Sequence, residues 1–140
     1  MRFYSKRLNK TLFLAITITF CLIITACCQQ APRSVYGSFY KALTDRNSEI
    51  SWGLIDHDSQ QAFANTALFL TQTGTGKMKS AKDAWKWVVQ QHGSTNLPDP
   101  YDLTEETIEG ERAVLNFKGG KEINLVREGG KWKVIAVAPH

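Results

Sequence analysis

The stretch AVLNFKGGKEINLVREGGKWKVIAV, residues 113–137, decides the fold of this 140-residue chain. Its side chains alternate in polarity with a period of two, which is typical of half-buried β-strands. Paired glycines interrupt the alternation at Gly119-Gly120 and again at Gly129-Gly130. A Gly-Gly pair readily adopts the positive φ angles of a two-residue hairpin loop. The stretch therefore predicts antiparallel strands joined by two tight turns.

The residues just before this stretch predict a further strand. Leu103 to Glu109 alternate in polarity, but the alternation slips at Glu105-Glu106, where a β-bulge would explain it. Further upstream, NLPDP at 96–100 holds two prolines, and a residue that precedes proline is disfavoured in a helix. We therefore expect a meander of three or four antiparallel strands after residue 100.

Between residues 34 and 93, apolar residues recur with the spacing of α-helices. Val35, Phe39 and Leu43 recur every four residues, which places them on one face of a first helix. Ser34 has the side chain of a helix N-cap, so we expect the helix to begin there. The apolar segment 50–55 is short and predicts one or two further helical turns.

Two more helices are expected before the sheet. Asp58 or Ser59 has the side chain of an N-cap for the third helix. Ser80 and Asp83 resemble a capping box at the start of the fourth, with Asp in the usual Glu position. Gly93 follows the last apolar residue of that helix and is expected to be its C-cap.

Helices followed by an antiparallel sheet predict an α+β fold, with N-terminal helices packed on a bent β-meander. Three segments carry a more specific likeness: SVYGSFYKALTDRN (34–47), WGLID (52–56) followed by SQQAF (59–63), and REGGKWKVIAV (127–137). Their order and spacing resemble the nuclear-transport-factor-two-like (cystatin-like) superfamily, in particular its uncharacterised bacterial lipoprotein branch. The resemblance implies a cone, in which a strongly bent sheet wraps around helices and often encloses a pocket. Isomerases, dehydratases, hydrolases and plain binding proteins share that fold, so it fixes no function.

Aromatic residues are expected between the helices and the sheet. They would either fill a small core, which is the simpler interpretation, or line a ligand cavity. The residues are Tyr36, Tyr40, Trp52, Phe63, Trp85, Phe117 and Trp132.

Charged residues are distributed unevenly around the fourth helix. Trp87 falls off the apolar face of that helix, so we expect it to be exposed. Four lysines cluster there, and six acidic residues follow: Lys77, Lys79, Lys82 and Lys86, then Asp99, Asp102, Glu105, Glu106, Glu109 and Glu111. The pattern indicates either a solvated face or a docking surface for an envelope protein or a second copy of the chain.

Asp56-His57-Asp58 is the one candidate for catalysis. A histidine between two carboxylates suits a general base or a metal ligand. The same three residues also suit a hydrated loop ahead of a helix, and one histidine without a second ligand cluster makes a poor metal site. The chain has no G-x-S-x-G, H-E-x-x-H or phosphate-binding glycine motif. We therefore assign no catalytic, cofactor or metal residue.

The N-terminus has the pattern of an export signal. Four basic residues and no acidic one precede the uncharged run LFLAITITFCLII at 12–24, and small residues follow it. The run is shorter than the ~20 apolar residues that span a bilayer. A cleaved signal peptide is expected, with an uncleaved anchor as the alternative.

Ile24-Thr25-Ala26-Cys27 resembles the lipobox of bacterial lipoproteins. The resemblance implies a signal peptide over 1–26, cleavage before Cys27, and a diacylglyceryl group on its thiol. Residues 27–33 would then form a lipidated tether, and 34–140 a single α+β domain. Two or more acyl chains anchor a protein stably to a membrane. Cys28 is left as the one free thiol, open to a second acylation or an intermolecular disulfide.

The location implied is the periplasm, with the domain held at a bacterial membrane. The residue after Cys27 is Cys28 and not Asp, which favours the outer over the inner membrane. The whole chain holds 17 basic and 13 acidic residues; removal of 1–26 leaves 13 of each. A chain without a basic surplus is unlike a nucleic-acid-binding domain.

We expect a non-enzymatic module that binds a ligand or an envelope protein. The alternative is a small pocket enzyme that uses His57 with a nearby carboxylate or tyrosine.

Overall fold

The computed structural model of the chain describes residues 30–74 and 76–136. Within them, α-helices come first and a four-stranded antiparallel sheet follows, which confirms the α+β prediction. The lipidation site predicted at Cys27 lies outside the described residues. The helices are α1 (Pro32–Thr44), α2 (Ser48–Leu54), α3 (His57–Gln72) and α4 (Ala81–His92), followed by a 3-10 turn (Pro100–Asp102). The strands are β1 (Leu103–Glu109), β2 (Arg112–Phe117), β3 (Glu122–Glu128) and β4 (Lys131–Val134).

The sheet is a simple meander in the order β1-β2-β3-β4. Gly119 and Gly120 join β2 to β3 with φ angles of 80° and 74°, as the glycine pair predicted. Strand β1 contains a bulge, but its register with β2 shifts between Leu103 and Glu105, just before the predicted position at Glu105-Glu106. Strand β1 is an edge strand, and its bulge and three glutamates disfavour pairing of this edge with another chain.

Two helix starts differ from the predictions. Helix α1 begins at Pro32 and not at Ser34, because proline fits the first helical turn, where its missing N–H leaves no hydrogen bond unmade. Pro32 is buried, so this residue of the segment 27–33, which was expected to be a tether, packs on the domain. Helix α3 begins at His57, since the side chain of Asp56, and not Asp58 or Ser59, accepts the capping hydrogen bond from the Ser59 N–H.

The start of α4 agrees with the predicted cap. The Ser80 side chain accepts a hydrogen bond from the Asp83 N–H, while the Asp83 carboxylate accepts one from the Lys79 N–H. In the usual capping box the acidic side chain accepts the N–H of the N-cap residue itself, whereas here it accepts the N–H of the residue before the N-cap. Hydrogen bonding to Ser80, and then to the Lys79 N–H, lowers the pKa of the Asp83 carboxyl. Gly93 ends the helix with a φ of 53°.

One core fills the space between the helices and one face of the sheet. The sheet supplies alternate residues of β2, β3 and β4, and the helices supply one face each of α1, α3 and α4. The largest residues of this core are Tyr36, Phe39, Phe63, Trp85, Phe117 and Trp132.

The segment between α2 and α3 is tied to strand β4. Ile55 forms an isolated parallel bridge with Val134, and the Asp56 N–H donates to the Val134 carbonyl at 3.0 Å. The Ala136 N–H in turn donates to the Ser59 hydroxyl, also at 3.0 Å. These bonds cover part of the second edge of the sheet with the start of α3.

Arg46 holds the end of α1 against the end of α4. Its φ of 57° turns the chain sharply after α1. Its guanidinium donates to the carbonyl oxygens of Val89 and Gln90 at 2.7 and 2.6 Å. These carbonyls lie in the last turn of α4, where a cation is favoured by the helix dipole. The placement of α4, which carries Trp87, therefore depends on Arg46.

Candidate functional site

Most of the aromatic residues expected between helices and sheet pack tightly against one another. Tyr36, Phe63, Trp85, Phe117 and Trp132 are buried, and Tyr40 and Trp52 are half-buried at the edge of the core. The ring centroids of Tyr36 and Phe117 lie 5.2 Å apart, and those of Phe63 and Trp85 lie 5.0 Å apart. At such distances the rings are in contact. These side chains fill the interior at the positions where a pocket was the alternative.

The buried polar atoms of this aromatic cluster are paired. The Tyr36 hydroxyl donates to the Pro98 carbonyl at 2.6 Å, and the Trp85 Nε1–H donates to the Ser51 hydroxyl at 3.0 Å. Burial, and then the neighbouring Tyr40 and Asp99, raise the pKa of the Tyr36 hydroxyl far above its ordinary value. Tyr36 therefore stays protonated and holds the loop before the sheet against α1.

The Asp56-His57-Asp58 motif does not form one site. Asp56 is 4 % exposed and caps α3, whereas His57 and Asp58 are exposed. The His57 N–H donates to the two Glu128 oxygens at 3.1 and 3.3 Å, and its Nε2 lies 2.9 Å from Gln61 Nε2. The ring of His57 therefore lies on the surface at the first turn of α3, away from the buried aromatic cluster.

Replacing His57 by alanine is expected to leave both folding and biological role unchanged. Surface substitutions change stability by less than about 0.5 kcal/mol. Asp56→Ala on the adjacent residue is the matched comparison, and it should cost about 0.5–2 kcal/mol because it removes the helix cap. Thermal unfolding measures both values. Failure of a His57→Ala copy to complement cells that lack the protein, at normal abundance and melting temperature, would restore the enzyme hypothesis.

One concave surface lies along the exposed side of α4, and we call it the Trp87 shelf. Its volume is about 470 Å³. Trp87 is half-buried, so part of its ring packs on the core and the rest faces the shelf beside Met78. The shelf is lined by Lys77, Met78, Lys79, Asp83, Lys86, Trp87 and Gln90. An apolar floor with a lysine rim suits an acidic protein surface or peptide.

A second concave surface lies at the β3–β4 turn, and we call it the Lys131 cavity. Its volume is about 380 Å³. Three segments that are distant in the sequence meet there: the residues around the start of α1, the end of α2, and the β3–β4 hairpin. The lining residues are Gln30, Val35, Gly53, Leu54, Gly130, Lys131, Trp132 and Lys133.

A third concave surface of about 450 Å³ lies on the sheet. It is lined by Thr107, Glu109, Arg112, Ala113, Val114, Asn124, Leu125 and Ile135. Ile135 is 36 % exposed. This part of the sheet therefore presents an apolar side chain beside Glu109 and Arg112, the two charged residues that flank the β1–β2 turn.

The structure separates the two charge clusters seen in the sequence. Lys82 forms a salt bridge with Glu49 at 2.6 Å, whereas Lys77, Lys79 and Lys86 make no salt bridge with any described residue. The acidic residues are partly neutralised within the domain. Asp102 pairs with Lys118 at 3.0 Å, and Glu106 pairs with Arg33 at 3.0 Å. Lys77, Lys79 and Lys86 are therefore available to a partner, as are the exposed Glu109 and Glu111 on the sheet.

Residues 30–74 and 76–136 contain neither a cluster of metal-binding side chains nor a membrane-spanning helix. No group of three or more His, Cys, Asp or Glu side chains in this part of the chain could hold a metal ion. No helix within it is both long and apolar enough to cross a membrane. Comparison of the chain with protein families, with curated proteins and with solved structures finds no match.

Proposed function

We propose that this chain is an envelope lipoprotein, anchored by acylated Cys27, whose domain is a non-enzymatic module that binds an acidic envelope protein through the Trp87 shelf. The observation that carries the proposal is the contrast between interior and surface. The aromatic side chains inside the domain pack on one another, while Trp87 and Met78 remain partly open among lysines that form no salt bridge with the part of the chain that the structure describes.

The chemistry of the shelf resembles that of protein interfaces. Tryptophan and methionine are enriched at interfaces, and a tryptophan in a partly desolvated pocket often dominates the binding energy. Lysines around such a residue accelerate the approach of a negatively charged partner. The three lysines on the rim of the shelf would act in this way.

The proposal includes the cone-like fold of the nuclear-transport-factor-two-like superfamily. Its support is the order of the elements, in which helices precede a four-stranded meander, and the short parallel bridge of Ile55 to Val134. In this version of the cone the interior is occupied by aromatic side chains, and binding takes place outside. The lipobox-like segment supports a location in the periplasm, at the outer rather than the inner membrane.

Replacing Trp87 by alanine is expected to abolish capture of the partner. The full-length, affinity-tagged protein would be cross-linked in intact cells, and the cross-linked partner identified and quantified by mass spectrometry. Loss of a hot-spot tryptophan costs about 2–4 kcal/mol of binding, which corresponds to a decrease of about 30-fold or more.

Tyr101→Ala is the matched control, because Tyr101 is an aromatic residue that is 96 % exposed and lies outside the shelf. Lys86→Glu is expected to weaken capture as well, and to reduce its dependence on salt. Equal capture of the same partner by the Trp87→Ala and Tyr101→Ala proteins would contradict the proposal.

A further inference from the structure

We infer that the Lys131 cavity binds the phosphate headgroup of an anionic phospholipid in the membrane to which the chain is anchored. The inference rests on the proposed acylation of Cys27, and it adds a second, non-covalent contact between the domain and the membrane.

The position of the cavity along the chain places it at the membrane. Gln30 lines the cavity and is the third residue after Cys27. Three residues span at most about 10 Å even when fully extended. Helix α1 begins two residues later, at the buried Pro32, so the tether has little slack. A lipid on Cys27 therefore holds this end of the domain at the level of the headgroups.

The charge of the cavity suits a phosphate. Lys131 is exposed and forms no salt bridge with any described residue. Lys133 is held in place, because its Nζ donates to the Gly53 carbonyl, another wall of the cavity. A lysine ammonium binds phosphate as a point charge. The two lysines flank Trp132, which also lines the cavity.

The nearest carboxylate is engaged elsewhere. Glu128 is the cross-strand neighbour of Lys131, which is where an ion pair would be expected. The Glu128 carboxylate instead accepts the His57 N–H with both oxygens, at the N-terminus of α3, where a negative charge is favoured. Glu109 and Glu111 lie at the β1–β2 turn at the same end of the sheet, but strand β3 separates that turn from β4, which carries Lys131. Lys131 is therefore left for an anion from outside the domain.

A second Gly-Gly turn, at the other end of β3, behaves differently and provides a control. Residues 118–121 place lysines around this turn. There, Lys118 pairs with Asp102 at 3.0 Å, and Lys121 approaches the Asn96 carbonyl at 3.5 Å. That turn lies at the opposite end of β3 from the Lys131 cavity, so it is not expected to meet the membrane that holds Cys27.

The test measures hydrogen exchange of the full-length acylated protein in reconstituted vesicles. Vesicles of phosphatidylcholine alone are compared with vesicles that also contain phosphatidylglycerol, and a third sample contains phosphatidylcholine with inorganic phosphate in solution. Phosphatidylglycerol is expected to slow exchange at residues 129–134 by about fivefold, the factor that corresponds to one lysine near an anionic membrane surface. Lys131→Gln should remove this protection, and the matched variant Lys121→Gln should retain it.

Each other outcome overturns the inference in a distinct way. Equal exchange in the two kinds of vesicle, or protection that survives Lys131→Gln, shows that the cavity binds no headgroup. Equal protection by inorganic phosphate shows a free-anion site instead of a lipid site. The mass of the N-terminal peptide is measured on the same sample. An unacylated Cys27 overturns the proposed lipoprotein function, whereas an acylated Cys27 without headgroup-dependent protection overturns the cavity assignment alone.

Discussion

Replacing Trp85 by alanine is expected to lower the free energy of unfolding by about 3–5 kcal/mol, the range found when a large aromatic site in a core is emptied. Trp85 is 4 % exposed. It lies between Phe39, whose ring is 6.1 Å away and nearly parallel, and Phe63, whose ring meets it edge-on at 5.0 Å. Because small domains have a total stability of about 5–15 kcal/mol, the variant should be close to unfolding at 37 °C.

Urea denaturation followed by circular dichroism measures this change. Trp85→Phe is the first control: it keeps most of the volume but removes the hydrogen bond from Nε1 to Ser51, and it should cost about 1–3 kcal/mol. Trp87→Ala is the second control, since Trp87 lies on the same helix but is half-buried, and it should cost less than Trp85→Ala. If both tryptophan-to-alanine variants lost the same stability, Trp85 would not be the centre of the core.

Replacing Cys27 by serine is expected to abolish lipid attachment completely. The lipobox resemblance makes the Cys27 thiol the acceptor of the diacylglyceryl group, and a serine hydroxyl is a much poorer nucleophile than a thiol. Without acyl chains the protein loses the anchor that holds it stably at a membrane. Incorporation of a labelled fatty acid, followed by detergent phase separation, measures both effects.

Cys28→Ser is the matched control, because it changes the neighbouring thiol and leaves the proposed acceptor intact. The control protein should incorporate label normally, or at a reduced level if Cys28 carries a second acyl chain. The opposite result, with label lost only in Cys28→Ser, would place the lipobox one residue later. Label that persists in both single variants and is lost only in the double variant would show that neither cysteine is a unique acceptor.

The sheet was predictable because its signals are local. Each strand carries its own alternation, and each turn carries its own glycine pair, so β2, β3 and β4 follow from short windows of sequence. The presence of a bulge in β1 was predictable for the same reason, since a slip in the pattern is visible within seven residues, although the register shifts just before Glu105 and not at Glu105-Glu106. No contact between distant segments was needed for these predictions.

The helix starts were not predictable to the same degree. Asp56, Asp58 and Ser59 all have side chains suited to an N-cap. The choice of Asp56 follows from its backbone, which is extended because its N–H bonds to Val134 at the far end of the chain. A sequence window around residue 56 does not contain that partner.

The Lys131 cavity was missed for a related reason. The set of buried aromatic residues follows from the spacing within single helices and strands, whereas Trp87, which was expected to be exposed, is half-buried because part of it packs on the core. The cavity instead needs Gln30, Gly53 and Lys131, which come from three separate parts of the chain. The one local signal was a lysine on each side of Trp132 next to a glycine turn, and a Gly-Gly turn followed by a lysine recurs at Lys121, so the signal is not specific.

The tie between the start of α3 and the last strand also sets the order in which the chain assembles. The hairpins of the meander close loops of a few residues, whereas the bond from Ala136 to Ser59 joins residues 77 positions apart. The entropy lost on closing a loop grows with its length, so distant contacts become favourable only after nearby ones have formed. The meander can therefore form from the C-terminal part of the chain alone, and the helical layer is locked to it last, when Val134 meets Ile55. A chain that has not yet reached its last strand leaves the start of α3 unpaired, and the domain is completed only when its final residues are in place.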